Sequence, residues 1–402
     1  MDFRSLLSSY GSPLYVFNDR GFVENYNYLC EAFCKEYPKY VPGYSYKTNY
    51  TPHICKLVKR LGGYAEVVSD MEYWVAKKIG YTDDMIIYNG PCKGGAMEEH
   101  ILNGGISNID NEAEIDRVIT LAQGHPDKSL KIGIRINTDI GAGFVSRFGL
   151  ETGSDSIERV ITKIKSQPNL KLVGLHMHVS RARYIEAWQK RIDNILEAAD
   201  RYIDGTPDYI DVGSGMFADM EDYLYNQFTI KVPTYEEYAK VVAGTMAEHY
   251  KDSGKKPILF SEPGTTVVSR YLSLITTVKA IKRVRDRNIA VLDCDIHNAG
   301  ETCQMMKVPF THIHCGIGEE SDSPIDLTGF TCLEQDCLFK DFPDTVKVDD
   351  VIVLRNVGGY SVVYKPPFIQ PNCAMIAEKE DGTIEVIKRK ETFENIFQTF
   401  KL

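Results

Sequence analysis

The feature that most limits the fold of this chain is a train of short apolar runs alternating with helical segments. Eight runs, Tyr44–Lys47, Tyr64–Val68, Met85–Tyr88, Ile106–Ile109, Lys131–Ile136, Leu172–His178, Tyr209–Val212 and Pro257–Ser261, are each of strand length. Between them lie stretches of helical periodicity, among them 53–61, 96–103, 112–122, 156–166, 185–199 and 235–250. Short apolar strands alternating with helices pair in parallel. Eight of them predict an α/β fold, a closed (β/α)8 barrel whose chemistry sits at the C-terminal strand ends. A doubly wound open sheet is the alternative. From Val267 the texture changes, and Arg270–Ala280, Ile289–Asp293, Val351–Arg355, Cys373–Ala377 and Ile384–Lys388 read as strands with little helix between them. The expectation is a barrel over 22–265 and a β-rich domain built from 1–21 and 266–402, with the early strand Leu14–Phe17 joining it. A length of 402 residues suits two such units better than one core.

Composition excludes several classes of partner. A net charge of -10 argues against a phosphate backbone, so no nucleic acid is expected. No apolar run is long enough to span a bilayer, and no secretory leader is apparent after Met1, so neither a membrane nor export is expected. The 10 cysteines lack a close CxxC pair, which suits reduced thiols in a cytoplasmic protein.

The polar residues track the strand ends. Tyr44 to Tyr50 reads as a strand delivering Lys47 to a loop, with Ser45 and Lys47 on one face. Among aromatics, such an amine is expected to be pushed toward its free form, the nucleophile that condenses with a carbonyl. Glu66 lies in the second strand, His176 and His178 end the sixth, Gly213-Ser214-Gly215 follows the seventh, and Glu262-Pro263-Gly264 follows the eighth. In a barrel all of them face one mouth. Taken singly, Lys47 could be a surface lysine, His178 a structural histidine and the glycine pair an ordinary turn. A strand-to-loop glycine pair also leaves backbone N–H groups free to surround an anion. A Rossmann turn is disfavoured, because Ala218 stands where the third glycine belongs. In the β-rich part, Cys332 and Asp336 form one cluster and Asn356 to Tyr360 another. His312-Ile313-His314-Cys315 looks like part of a metal site, but no matching Cys/His pair occurs at zinc spacing, so no metal is expected.

In this order the pieces resemble the fold-type III pyridoxal-phosphate decarboxylases, the diaminopimelate and ornithine decarboxylase family with its alanine racemase-like fold. The likeness runs from about Pro13 to Phe397. The family's Tyr-x-x-Lys-x-Asn appears as Tyr44 to Asn49, and its acid-x-x-Ser-x-x-Glu as Glu66 to Glu72. Arg135-Ile136-Asn137 and Arg147-Phe148-Gly149 fit the barrel pieces that follow. The resemblance implies pyridoxal 5'-phosphate as cofactor, with Lys47 as its Schiff-base lysine and His178 stacked on its ring. It implies Gly213, Ser214 and Gly215 at the phosphate, Glu262 and Gly264 in the Glu-Pro-Gly motif, and Tyr360 on the phosphate. Cys332 and Asp336 fit the Cys-x-x-x-Asp motif that enters from the partner subunit, which implies a homodimer with shared active sites. A glutamate at 262 would keep the pyridine nitrogen protonated, which favours decarboxylation over racemisation. Cys332 is the candidate acid that reprotonates Cα, and Asp336 the candidate substrate ligand.

Departures from the pattern bear on substrate. The family's Glu-Pro-Gly-Arg is here Glu262-Pro263-Gly264-Thr265, and Arg181 is the expected replacement for the lost charge. Leu333 follows Cys332 where relatives carry an acid for the distal ammonium. The expectation is therefore a carboxy-lyase acting on an amino acid or amino-acid conjugate rather than on diaminopimelate. An amino-acid racemase and a homologue that binds the cofactor without catalysis are the alternatives.

Overall fold

The computed structural model describes residues 2–401. The chain divides into two compact units: Tyr26–Phe217 with Lys231–Thr266, and Met1–Asn25 with Ala218–Ile230 and Val267–Leu402. The segment Ala218–Ile230, inside the span 22–265 expected for the barrel, therefore belongs to the second unit.

In the first unit eight parallel strands close on themselves. In spatial order they are Ile106–Ile109, Ile86–Tyr88, Tyr64–Val67, Tyr40–Ser45, Ile258–Ser261, Tyr209–Asp211, Leu170–His176 and Leu130–Asn137, and the last pairs back to the first. The closed ring rules out the open sheet. Register sets the site: Ser45 lies opposite Glu66, Arg135 opposite His176, and His176 opposite Asp211. Within the barrel unit Ile87, Tyr209 and Phe260 form one apolar cluster. Each buried side chain of this size contributes about 1.5–3 kcal/mol.

One expectation needs correcting. The first strand starts earlier, at Tyr40, and stops at Ser45, while Tyr46–Thr48 is a 3-10 turn that carries Lys47. The ladder ends because the Ser45 N–H donates to the Pro263 carbonyl at 3.1 Å, beyond the last residue of the eighth strand. The Tyr44 hydroxyl then donates to the Asn49 carbonyl at 2.9 Å and holds the turn closed. Downstream, Ser69 caps the helix Asp70–Ile79 by accepting the Glu72 N–H. The Glu72 carboxylate reaches back to the Val68 N–H at 2.8 Å rather than to Ser69, so the capping box is not reciprocal.

The second unit is β-rich. Leu14–Asn18 lies between Leu272–Val284, antiparallel, and Ala374–Glu378, parallel. Leu14, Val16, Ile275, Val353 and Ile376 form its core, covered by Leu6 and Leu7 of the helix Phe3–Tyr10. Phe310–Ile313, Ile325–Thr328 and Cys337–Phe342 are further strands that sequence periodicity misses. Phe310–Ile313 pairs with Val351–Leu354 along one side, so none of its residues is fully buried and no apolar run marks it. There His312 Nδ1 lies 2.8 Å and His314 Nε2 3.2 Å from Asp344 Oδ2, while His312 Nε2 lies 3.0 Å from Asp350. The ten cysteines are free thiols. Among the described residues no helix is long and apolar enough to cross a membrane.

Candidate active site

A cavity of about 550 Å³ opens at the C-terminal ends of the barrel strands, lined by Lys47, Glu66, Asn89, Arg135, His178 and Glu262 among others. Lys47 Nζ donates to Glu66 Oε2 at 2.8 Å, and Ser45 Oγ donates to the same oxygen. The lysine side chain is 32% exposed and its carboxylate partner is buried. The amine is thus held by a counter-ion, not stripped of water among aromatics as the sequence suggests.

Asn89, which ends the third strand, connects this pair to the far wall. Its Nδ2 donates to Glu66 Oε1 at 3.1 Å and also to Glu262 Oε1. Its Oδ1 accepts from Asn108, whose own oxygen accepts from the Tyr209 hydroxyl at 2.6 Å. Glu262 follows the eighth strand, with His176 Nε2 at 3.2 Å and His178 Nδ1 at 3.7 Å. Burial alone would raise its carboxyl; the contact with His176 and then the charge of Lys47 outweigh that and hold it well below the usual carboxylate range. Burial and the adjacent charge of Glu262 push Asp211 well up. Of these two buried acids, Glu262 keeps the charge and Asp211 keeps the proton.

His178 meets the glycine turn directly. The Ser214 N–H donates to His178 Nδ1 at 3.1 Å, so that nitrogen is the acceptor and the tautomer is fixed. Burial and the charge of Lys47 push the imidazole well below its ordinary value, toward this neutral form. Gly213 has φ 60° and Gly215 φ 111°, both in the positive-φ region that residues with a Cβ rarely adopt. A Cβ on Gly213 would come within 2.7 Å of the His178 side chain. Only glycine admits that approach.

Other expected residues fall differently. Gly264 packs against Thr48 and Ser45 so closely that a Cβ would overlap them, which makes it a support for the Lys47 turn. Arg181 is exposed, with φ 68°, and is not among the side chains lining the cavity. It is therefore a poor replacement for the missing arginine. In the β-rich unit Cys332 is exposed. Asp336 is buried, and its oxygens accept from the Ile296 N–H and from the Thr331 N–H and hydroxyl. The acid braces the loop that carries Cys332 and has little left for a substrate. Tyr360 is half-buried in left-handed backbone, φ 53°.

Residues 24–269 match the model for the pyridoxal-binding domain of pyridoxal-dependent decarboxylases, and residues 208–358 match the model for their C-terminal sheet domain. The chain belongs to the pyridoxal-dependent decarboxylases. By family it is a carboxy-lyase that uses pyridoxal phosphate. Its relatives include the diaminopimelate decarboxylase of Methanothermobacter thermautotrophicus, 24% identical over 98% of this chain and 92% of that one. The diaminopimelate decarboxylase of Methanocaldococcus jannaschii is 25% identical over 97% and 91%. Among solved structures, the M. jannaschii enzyme in complex with L-lysine superposes with a TM-score of 0.84 at 23% identity, covering 100% of this chain and 94% of that one. Lysine decarboxylase from Selenomonas ruminantium gives 0.74 at 19% identity, over 92% and 93%. None of these is a racemase.

The decarboxylase has features that suit the cofactor's phosphate. Ser214 Oγ is buried without a hydrogen-bond partner, on a turn of two left-handed glycines. Sequence reasoning misses three contributors: Asn89, Asn108 and Arg191. Asn89 and Asn108 are polar residues set in otherwise apolar strand ends. Arg191 occupies the buried stripe of helix Ile185–Tyr202 with Trp188, Ile192, Ile195 and Ala199, a position where a charge is out of place. That misfit is the signal.

Proposed function

We propose that this decarboxylase removes the α-carboxyl group of a small amino acid or amino-acid conjugate, as a homodimer whose two active sites each take Cys332 from the other copy. One observation carries the reading: the Lys47 amine, the His178 imidazole and the Glu262 carboxylate share one cavity. Pyridoxal phosphate, when bound, supplies a sink for the electron pair freed as carbon dioxide leaves. Lys47 would hold it through its aldehyde carbon, and Glu66 would keep the departing or returning amine charged nearby. Ionised Glu262 would hold a proton on the ring nitrogen. His178, its tautomer pinned by Ser214, would present a flat neutral ring, and Ser214 and Gly215 would hold the phosphate. The Cys332 thiol would return the proton to Cα, on a loop that Asp336 holds in place.

Phe144 and Val145 of the cavity wall are largely exposed, and Arg147 beside them stacks over Phe148 at 4.1 Å. A cation with apolar neighbours suits a substrate whose far end carries an anion or an extended conjugate. A buried distal ammonium would want a carboxylate, and Leu333 stands where relatives carry one. Diaminopimelate is the second reading, favoured by the names of the relatives.

The test is carbon dioxide release across a panel of free α-amino acids, diaminopimelate and N- or side-chain-conjugated amino acids, with sedimentation to establish the dimer. The expected result is turnover of a substrate with an anionic or extended remote end, weakened in Arg147→Gln. Diaminopimelate turned over at an ordinary enzymatic rate refutes the substrate assignment. Bound visible cofactor with no release from any substrate refutes catalysis itself. Wild-type turnover in Cys332→Ala removes that thiol from the mechanism.

A further inference from the structure

Arg191 is wholly buried, and its hydrogen bonds go to main-chain carbonyls. Nη1 donates to Val212 O at 3.1 Å and Ser214 O at 2.9 Å, and Nη2 donates to Val179 O at 2.8 Å. The guanidinium lies 4.0 Å from the centre of the Trp188 ring, and its Nε has no hydrogen-bond partner. Among the described residues no carboxylate is within ion-pair distance of it. A buried guanidinium without an acid is costly, and three carbonyl dipoles offset only part of that cost. Charge in this position calls for an anion.

The carbonyls it holds show where the anion belongs. Val212 O and Ser214 O bracket the turn Gly213-Ser214-Gly215. In a trans peptide the N–H points away from the C=O. Pulling the two carbonyls toward Arg191 therefore turns the N–H groups of Gly213 and Gly215 to the opposite face. The Gly213 N–H is taken by Asp211 Oδ1 at 2.9 Å. The Gly215 N–H has no partner among the described residues, and neither has the buried Ser214 Oγ. One unused peptide donor thus lies across the turn from one unpaired cation, and the turn also carries the unused Ser214 hydroxyl. Thr265, which follows Gly264, brings no positive charge to this anion.

We infer that Arg191 is a positioning residue for the cofactor's phosphate: from behind the glycine turn it fixes the direction of the peptide donors and supplies the balancing charge, without touching the ligand. The inference rests on pyridoxal phosphate as the ligand of this cavity. It places the balancing cation on the helix side of the turn.

The experiment compares the affinity of apo-protein for pyridoxal phosphate and for pyridoxal, which lacks the phosphate, by absorbance titration. Arg191→Gln is expected to lose about 10-fold or more in affinity for pyridoxal phosphate while pyridoxal binding stays within about 2-fold. Inorganic phosphate should compete with pyridoxal phosphate in the wild-type protein and much more weakly in the variant. Equal losses for both ligands mean a merely structural arginine and overturn the inference, as does no loss for either. Should Arg191→Gln not fold, Arg191→Lys decides: a lysine keeps the charge but lacks the planar pair of nitrogens that holds Val179 O on one side and Val212 O with Ser214 O on the other, so the ratio of the two affinities falls by about 3-fold or more. An unchanged ratio there overturns it. A wild-type protein that binds neither compound overturns the cofactor assignment instead.

Discussion

Asn89 and Glu262 are joined by a hydrogen bond across the interior of the barrel, and the same carboxamide nitrogen donates to Glu66 3.1 Å away. One neutral side chain thereby separates two buried acids, one beside Lys47 and one at the far wall.

Removing that amide should expose the repulsion it screens. Asn89→Ala is expected to lower stability by about 2–3 kcal/mol in urea unfolding, because two buried carboxylates lose a donor. Asn89→Asp should lower it further at pH 8 and recover part of the loss on acidification, as a protonated acid donates where the amide did. A change under about 0.5 kcal/mol in the alanine variant would show that the bridge is idle.

Lys47 should matter to chemistry far more than to folding. Lys47→Ala is expected to abolish the visible absorbance of bound cofactor and all carbon dioxide release. Its unfolding free energy should change by no more than about 1 kcal/mol, since the lysine is 32% exposed and Glu66 keeps Ser45 and Asn89 as donors. A large loss of stability would mean that the ion pair is structural.

The charge on Glu262 is expected to govern rate rather than binding. Glu262→Gln keeps the shape and the contact with Asn89 but cannot hold a proton on a ring nitrogen by charge. Decarboxylation should slow by about 100-fold or more while absorbance still reports full cofactor occupancy. Unaltered turnover would sink the role given to this acid.

Glu72 supplies a pH signature. Burial, reinforced by the charge of Glu66 and opposed by the Val68 N–H and Lys47, raises its carboxyl to about 7 from an ordinary 4.5. Between those pH values the folded protein holds a proton that the unfolded chain has released, so stability falls as pH rises from about 4.5 to 7 and then levels. The full span is on the order of 3 kcal/mol. Glu72→Gln, whose carbonyl can still accept the Val68 N–H, should be more stable than wild type at pH 8 and equal to it near pH 4. Parallel pH–stability curves for the two proteins would contradict this.

Much of the barrel was legible because its strands announce themselves locally: apolar runs of strand length, broken by helices, read true at all eight positions. The turn at Lys47 was not, because the strand is ended by the Pro263 carbonyl, more than 200 residues away in sequence. The strand Phe310–Ile313 hid for the opposite reason, having too little burial to leave a pattern. Arg181 looked like the natural anion ligand from its place after His178, yet its left-handed backbone leaves it in solvent. Arg191 gave no such signal, since its partners, Val179, Val212 and Ser214, come together only in the folded barrel.

The strand Leu14–Asn18 has a consequence for how the protein is made. It is translated long before one of its two neighbours in the sheet, Ala374–Glu378. Throughout synthesis that apolar segment waits with an unfilled side, while the barrel residues behind it are already able to fold. Premature termination before Ala374 would leave this edge permanently open, and such fragments should be the ones that chaperones and proteases meet most often.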